Sequence, residues 1–308
     1  MHWKVKSKIQ NILALFPKSI SYVFYYWVQR NFGNLRNPNP TKRMKFAIES
    51  WKHIQNTGQN PIGKVFFETG TGRMPVVPLS YWLMGAEKTI TIDLNPYLKK
   101  ELIIDCLEYI SKNKDAIMNL FGPLIVQERM DRLIKKRPFS INEFLNLCDI
   151  DYIAPGDASN TKLSNNFIDY HISTTVFEHI PKDILKKILE EGNRIIKKNG
   201  LFIHRIDYTD HFSHSDRTIS EINFLQYSRS EWEKLAGNRY MYMNRLRHDD
   251  YLRLFKSVGQ SVIDTKVYEN KYLNKLLNDK HFKLNDDFIL KSNNVLSITG
   301  AWIVSKKK

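Results

Sequence analysis

Between residues 3 and 16 the apolar positions Val5, Ile9, Ile12, Leu13 and Phe16 recur at helical spacing, with Lys4, Lys8 and Asn11 on other faces. Pro17 breaks that helix, and a second segment, 19–32, carries Tyr22, Phe24, Tyr25, Tyr26 and Trp27. The stretch 34–41, with Pro38 and Pro40, reads as a linker. From Gly63 the pattern changes. Short apolar runs at 64–68, 89–93, 151–155, 167–173 and 201–206 predict strands, with two more near 262–268 and 295–304. Helical patterns at 75–86, through most of 97–150, at 182–198 and at 248–257 separate them. Strands alternating with helices imply a parallel sheet covered on both faces. The last two strands have no firm helix between them, so they are expected to pair antiparallel. The predicted fold is a doubly wound α/β domain: a seven-stranded, mostly parallel sheet with an antiparallel edge strand, an N-terminal helical arm and an inserted helical cap. Residues 1–60 are assigned to the arm and linker and 61–308 to the domain, with a helical insertion at 101–150 and a substrate-side insertion at 207–247.

Composition narrows the class. Of 308 residues, 42% are hydrophobic and 26% charged, as in a packed globule rather than a disordered chain. The formal charge is +15, and it is uneven: residues 1–60 hold ten Lys or Arg against one acid, Glu49. Positive charge concentrated beside aromatic residues points to an anionic membrane surface or a nucleic acid. With no RNA-binding module or stacking motif in the chain, nucleic acid is the weaker choice. The alternative for residues 1–33 is an arm packed on its own domain or on a second subunit. Two cysteines, Cys106 and Cys148, exclude a disulfide scaffold and a cysteine zinc cage, and read as reduced thiols of an intracellular protein. No apolar run reaches the ~18 residues of a membrane span, and no small-residue cleavage site follows the first apolar stretch, so no secretory signal is expected. A cytoplasmic protein, peripheral at the inner membrane face, is the expectation.

The chemistry is concentrated at Glu68-Thr69-Gly70-Thr71-Gly72, directly after the first strand. In an open α/β sheet, ligands sit beyond the carboxyl ends of the strands, and glycine lets the backbone approach them closely. A dinucleotide fingerprint needs a third glycine where this chain has Pro75, and Glu68 would repel a pyrophosphate. A ligand with an amine, a sulfonium and no phosphate would instead be held. Asp93 ends the second strand, placed for ribose hydroxyls, and Asp157 follows the third, placed for an adenine amino group. Each acid taken singly could be a cap or turn residue; Asp169, inside the fourth strand, is read as structural.

Together these motifs resemble the class I S-adenosylmethionine-dependent methyltransferases over roughly 63–268. Glu68 to Gly72 is similar to their first motif, Asp93 to their ribose-binding acid and Gly156-Asp157-Ala158 to their adenine-side motif. Residues 167–180, with Phe167-Ile168-Asp169 and Glu178-His179-Ile180, resemble their fourth-strand motif. The resemblance implies S-adenosylmethionine as cofactor, held by Glu68, Gly70, Thr71, Gly72, Asp93, Asp157, Ala158 and Thr174. Met74 stands where the family has its third glycine, and the long stretch between the second and third strands implies the inserted cap.

An oxygen acceptor needs a base as well as positioning. His204, Asp207, Asp210, His211, His214 and Asp216 cluster after the fifth strand. Three readings compete: a His base oriented by an Asp, as Asp210–His211 or Asp207–His211; a divalent metal held by His and Asp; or a polar loop. The base is preferred and no metal is assigned, since helical His-x-x-x-His spacing is missing. His211, Asp210, Asp207 and His204 are the catalytic candidates, and His179, His214, Arg245 and Arg247 the substrate candidates. The expected reaction is O-methylation of a small-molecule or glycan acceptor, lipid-linked if the arm meets a membrane. A nucleic-acid methyltransferase and a non-catalytic scaffold are the alternatives.

Overall fold

In a computed structural model, residues 1–33, 35–138 and 140–308 are described; Asn34, the first residue of the predicted linker, lies outside them. The strands are β1 (Val65–Thr69), β2 (Lys88–Ile92), β3 (Ile150–Ile153), β4 (Ile168–Thr174), β5 (Ile196–Asp207), β6 (Gln260–Glu269) and β7 (Ile298–Lys307). They form one sheet in the order β3-β2-β1-β4-β5-β7-β6. β3 through β5 run parallel. β7 is antiparallel to both β5 and β6, so the antiparallel strand sits one place in from the edge. The chain leaves β1 toward one side and β4 toward the other, and the crevice between their carboxyl ends is the switch point where such sheets bind ligands.

The helices are α1 (Trp3–Leu15), α2 (Lys18–Phe32), α3 (Thr41–Asn56), α4 (Val76–Leu83), α5 (Lys100–Lys112), α6 (Lys114–Phe121), α7 (Gln127–Lys136), α8 (Ile141–Leu147), α9 (Lys182–Ile195), α10 (Arg229–Ala236), α11 (His248–Ser257), α12 (Lys271–Leu277) and α13 (Asn293–Leu296). On one face of the sheet α3 to α8 pack through residues such as Met44, Trp51, Tyr81, Ile110 and Leu133. On the other, α9 and α11 bury Leu185, Leu189, Ile195, Leu254 and Phe255. The buried positions of α9, Leu185, Ile188, Leu189, Gly192 and Ile195, follow helical spacing, and each buried Leu or Ile contributes about 2 kcal/mol. Gly192 is required by crowding, since a Cβ there would lie 2.7 Å from the Phe202 ring.

Three expectations change. Met44, Ala47, Ile48, Trp51 and Ile54 put α3, assigned by sequence to the arm and linker, into the sheet-face core. The helices α5 to α8, expected as a cap, likewise bury Ile103, Cys106, Phe121 and Phe144 against that face. The predicted helix 182–198 stops at Ile195, because Ile195 and Ile196 are both core residues; a register shift between Ile168 and Tyr170 then accommodates 197–200 within β5.

The segment 207–247 folds with α12 and α13 into a small lobe around Phe212, Phe224, Trp232, Leu273 and Phe288. Trp3 of α1 enters that lobe 5.3 Å from Phe212, and Asp216 accepts the Trp3 backbone N–H at 2.7 Å. The arm therefore packs on its own domain, but with its amphipathicity reversed. Ser7, Gln10 and Ser21 are buried, whereas Ile12, Ile20, Val23, Phe24 and Trp27 are exposed.

Candidate active site

The loop after β1 is shaped by glycine. Gly70 has φ +90°, and a Cβ there would lie 2.5 Å from Val176 Cγ2. Gly72 has φ +71° and donates its N–H to Asp93 Oδ2 at 2.9 Å. Gly70 N–H bonds the Ile92 carbonyl at 2.8 Å, tying the loop to β2. Thr175, at the end of β4, holds φ +54°, a conformation that costs a β-branched residue energy and is found where function over-determines the backbone. Between these strand ends lies a cavity of about 340 Å³. Gly70, Gly72, Asp93, Asp157, Ala158 and Thr174, six of the residues assigned to the cofactor from sequence, line it together with His179. Its apolar wall is Ile180, just before α9, with Ile184 and Ile188 of α9, and no motif in sequence singled out the last two.

The two acids of the cavity also perform structural tasks. Asp93, half-buried, has its carboxyl raised by burial against the opposing hydrogen bonds of Gly72 and Asn95. Asp157 Oδ1 accepts from the Ser159 N–H and hydroxyl at 2.8 and 2.7 Å, the turn role that sequence offered as its alternative. Both still face the cavity. Glu68 and Thr71 do not line it. Glu68 is buried beneath the loop and accepts the Thr91 hydroxyl at 2.7 Å, while Thr71 meets the same hydroxyl at 2.6 Å. Burial raises the Glu68 carboxyl to about 7, against the pull of Thr91 and Arg43. Any help Glu68 gives a cationic ligand is electrostatic and acts from behind the loop.

A second cavity of about 400 Å³ adjoins the first, sharing Arg43, Gly72 and Tyr97. Tyr22 and Tyr25 of the arm's α2 line it with Arg73, Arg239 and Tyr240, the Tyr240 ring packing 5.8 Å from Tyr22 and 4.5 Å from Tyr25. The Arg73 guanidinium lies 5.0 Å from the Tyr26 ring and 5.3 Å from the Tyr97 ring. Arg43 escaped notice in sequence because it fell in the linker assignment, and Arg73 and Tyr97 because no spacing marks them.

Beside the first cavity, Asp207, His211 and His214 meet Glu178 and His179. His211 Nε2 is 3.6 Å from Asp207 Oδ2, beyond hydrogen-bond reach. Its ring is 4.8 Å from both His179 and His214. Burial alone would raise the Asp207 carboxyl, but His211 and the two Thr209 donors hold it well below the ordinary range. Glu178 is buried with neither carboxylate oxygen hydrogen-bonded, and burial followed by the Asp207 charge raises it far above the usual value.

The remaining candidates go elsewhere. His204 is fully buried, its Nδ1 2.8 Å from Ser173 Oγ and its ring stacked on Phe177, so it cannot reach an acceptor. Asp210 is fully buried and braces the lobe through Asn223 Nδ2 and Phe212 N, both 2.9 Å away. Arg247 is fully buried and donates to the carbonyls of Tyr208, Leu296 and Ile298. Arg245 donates to the carbonyls of Phe224 and Tyr227 and pairs with Asp287. Both arginines hold the lobe together; the arginines that line the second cavity are Arg43, Arg73 and Arg239. His214 is exposed at the margin of the cluster. Asp169 is structural, accepting from Val65 N and Lys197 Nζ.

No protein-family model and no curated protein matches the chain. Among solved structures it is similar to an S-adenosylmethionine-dependent methyltransferase from Methanosarcina mazei, at 13% identity over 82% of this chain and 96% of that one, TM-score 0.45. It is also similar to geranyl diphosphate methyltransferase in complex with GPP and sinefungin, at 11% identity over 87% of this chain and 78% of that one, TM-score 0.47. The sheet itself, parallel from β3 to β5 with β7 reversed between β5 and β6, is the class I methyltransferase fold. No helix among the described residues is long and apolar enough to cross a membrane.

Proposed function

We propose that this protein transfers a methyl group from S-adenosylmethionine to a hydroxyl of an anionic acceptor met at a membrane surface. The observation that carries the reading is the pair of adjoining cavities. One has glycine-shaped backbone and the acids Asp93 and Asp157 at successive strand ends, suited to a cationic nucleoside. The other, sharing Arg43, Gly72 and Tyr97, is lined by arginines and tyrosines. Arginine forks suit carboxylate or phosphate oxygens, and tyrosine faces suit sugar or aromatic rings. Methyl transfer is an in-line displacement: the acceptor oxygen forms a bond to the methyl carbon as the carbon–sulfur bond breaks, leaving a neutral thioether. Positioning and exclusion of water therefore supply much of the rate. The exposed apolar side of α1 and α2, next to Lys4, Lys8 and Lys18, supports a lipid surface as the place where the acceptor is met.

Calorimetric titration with S-adenosylmethionine beside NADH tests the cofactor, and transfer of labelled methyl into soluble and membrane extracts tests the acceptor. The expected result is S-adenosylmethionine binding that Asp93→Ala weakens at least tenfold, with label in an acidic product. NADH binding in its place, or indifference to Asp93→Ala, sinks the reading.

A further inference from the structure

We propose that Glu178, His179, Asp207, His211 and His214 form a binding site for one divalent first-row transition ion, of the Mn²⁺ or Zn²⁺ kind. Donor atoms of Glu178, His179 and His211 lie within 4.8 Å of one another, and so do those of Asp207, His211 and His214. His211 belongs to both triads. Ligands about 2.1 Å from a shared ion stand up to about 4.2 Å apart. Modest side-chain rotations therefore close either triad on one ion.

Two orphans point to something between these groups. Both carboxylate oxygens of Glu178 and the Nε2 of His211 are buried without a hydrogen-bond partner. Buried polar atoms are almost always satisfied, and these face one another. An Asp–His base explains neither, since the His211–Asp207 separation is 3.6 Å and Glu178 has no part in it. A dication explains both, because it balances the Glu178 and Asp207 carboxylates.

The surroundings already orient the donors. His179 Nδ1 is 2.8 Å from the Tyr242 carbonyl, which can only accept, so that nitrogen carries the proton and Nε2 is left with a lone pair. Asp207 Oδ1 takes the Thr209 N–H and hydroxyl at 2.9 and 2.6 Å, leaving Oδ2 for the cluster. His214 Nε2 is engaged by the same Thr209 hydroxyl at 3.0 Å. Partners of this kind fix imidazole and carboxylate ligands in metal sites. Imidazoles with carboxylates and no thiolate select Mn²⁺, Fe²⁺, Co²⁺ or Zn²⁺ over Mg²⁺ or Ca²⁺.

The ion's chemical task rests on the methyl-transfer reading; its binding does not. His179 also lines the cofactor cavity, so an acceptor hydroxyl bound to the ion would face the methyl group. The ion acidifies that hydroxyl, its proton passes to water, and the oxygen's electron pair forms the new bond to carbon.

The test uses the untagged full chain, stripped with EDTA and dialysed, titrated with MnCl₂ by calorimetry and electron paramagnetic resonance, then with ZnCl₂ in competition. One ion per chain is expected, with binding weakened at least tenfold by His211→Ala and by Asp207→Asn. If either variant fails to fold by circular dichroism, His179→Ala is read in its place. Ion binding no tighter than in folded His211→Ala protein overturns the site. S-adenosylmethionine titrated into the stripped chain tests the methyl-transfer reading separately: a bound ion with no cofactor binding keeps the site and removes its proposed task.

Discussion

Replacing Glu68 by glutamine removes a charge from beneath the cofactor loop while keeping the side chain's shape and its bond from Thr91. Burial raises the Glu68 carboxyl from an ordinary 4.5 to about 7. Below about pH 4.5 the group is neutral in both folded and unfolded chains and contributes nothing. As pH rises from there to about 7, the unfolded chain releases the proton and the fold retains it, so stability falls. Above pH 7 the deficit levels off at about 3 kcal/mol, from the shift at roughly 1.4 kcal/mol per unit. Ligand-free Glu68→Gln protein should therefore melt higher than wild type at pH 8. At about 2 °C per kcal/mol for a chain of this size, the gap is about 6 °C, narrowing to nearly nothing by pH 4.5. Thermal scans from pH 4.5 to 8 measure it. S-adenosylmethionine should close the gap at pH 8, since its cation compensates the wild-type charge alone. A gap that ignores pH, or a glutamine variant that melts lower at pH 8, would refute the reasoning.

Three further outcomes follow from the geometry. Gly70→Ala puts a Cβ 2.5 Å from Val176 Cγ2 at φ +90°; a loss of about 2 kcal/mol in melting and of cofactor binding in calorimetry is expected, with Val176→Ala restoring only the steric part. Arg247→Met removes the guanidinium that bonds three buried carbonyls, so urea unfolding should report a loss of about 3 kcal/mol, while the folded fraction binds S-adenosylmethionine with unchanged affinity. Phe24→Ser with Trp27→Ser alters side chains that are 47% and 52% exposed; stability should move by less than about 1 kcal/mol, and sedimentation with anionic phospholipid vesicles should drop severalfold.

The strands were legible because each carries a short apolar run bounded by turn residues, and the cofactor loop because glycine and acid fall where strands end. What sequence could not show is which face a residue presents. His204 and His211 are both histidines near one strand's end, yet His204 points into the core against Phe177 while His211 meets Asp207 and His179. Arg247 and Arg73 look alike in sequence, and only tertiary contacts separate a lobe brace from a cavity wall. Glu68 had the strongest motif behind it and proved to be a buried support. Asp169 could be read correctly because an acid inside a parallel strand has no strand end to serve.

The arm joins the two halves of the proposal. Periodicity finds an amphipathic helix whether its apolar side faces protein or lipid, so the pattern of α1 left its direction open. The fold decides it through polar anchors: Ser7 bonds the Leu235 carbonyl, Asn11 the Lys234 carbonyl, and Arg30 pairs with Asp105. These contacts turn the hydroxyl and amide side inward and the apolar side outward, the opposite of what burial alone would select. On α2 the inward side is tyrosine, and Tyr22 and Tyr25 close the cavity proposed for the acceptor. One helix therefore carries both the surface proposed to meet lipid and a wall of the acceptor site. If the proposed reading holds, a substitution confined to its outer face should change where the acceptor is met, whereas one on its inner face should change which acceptor is taken.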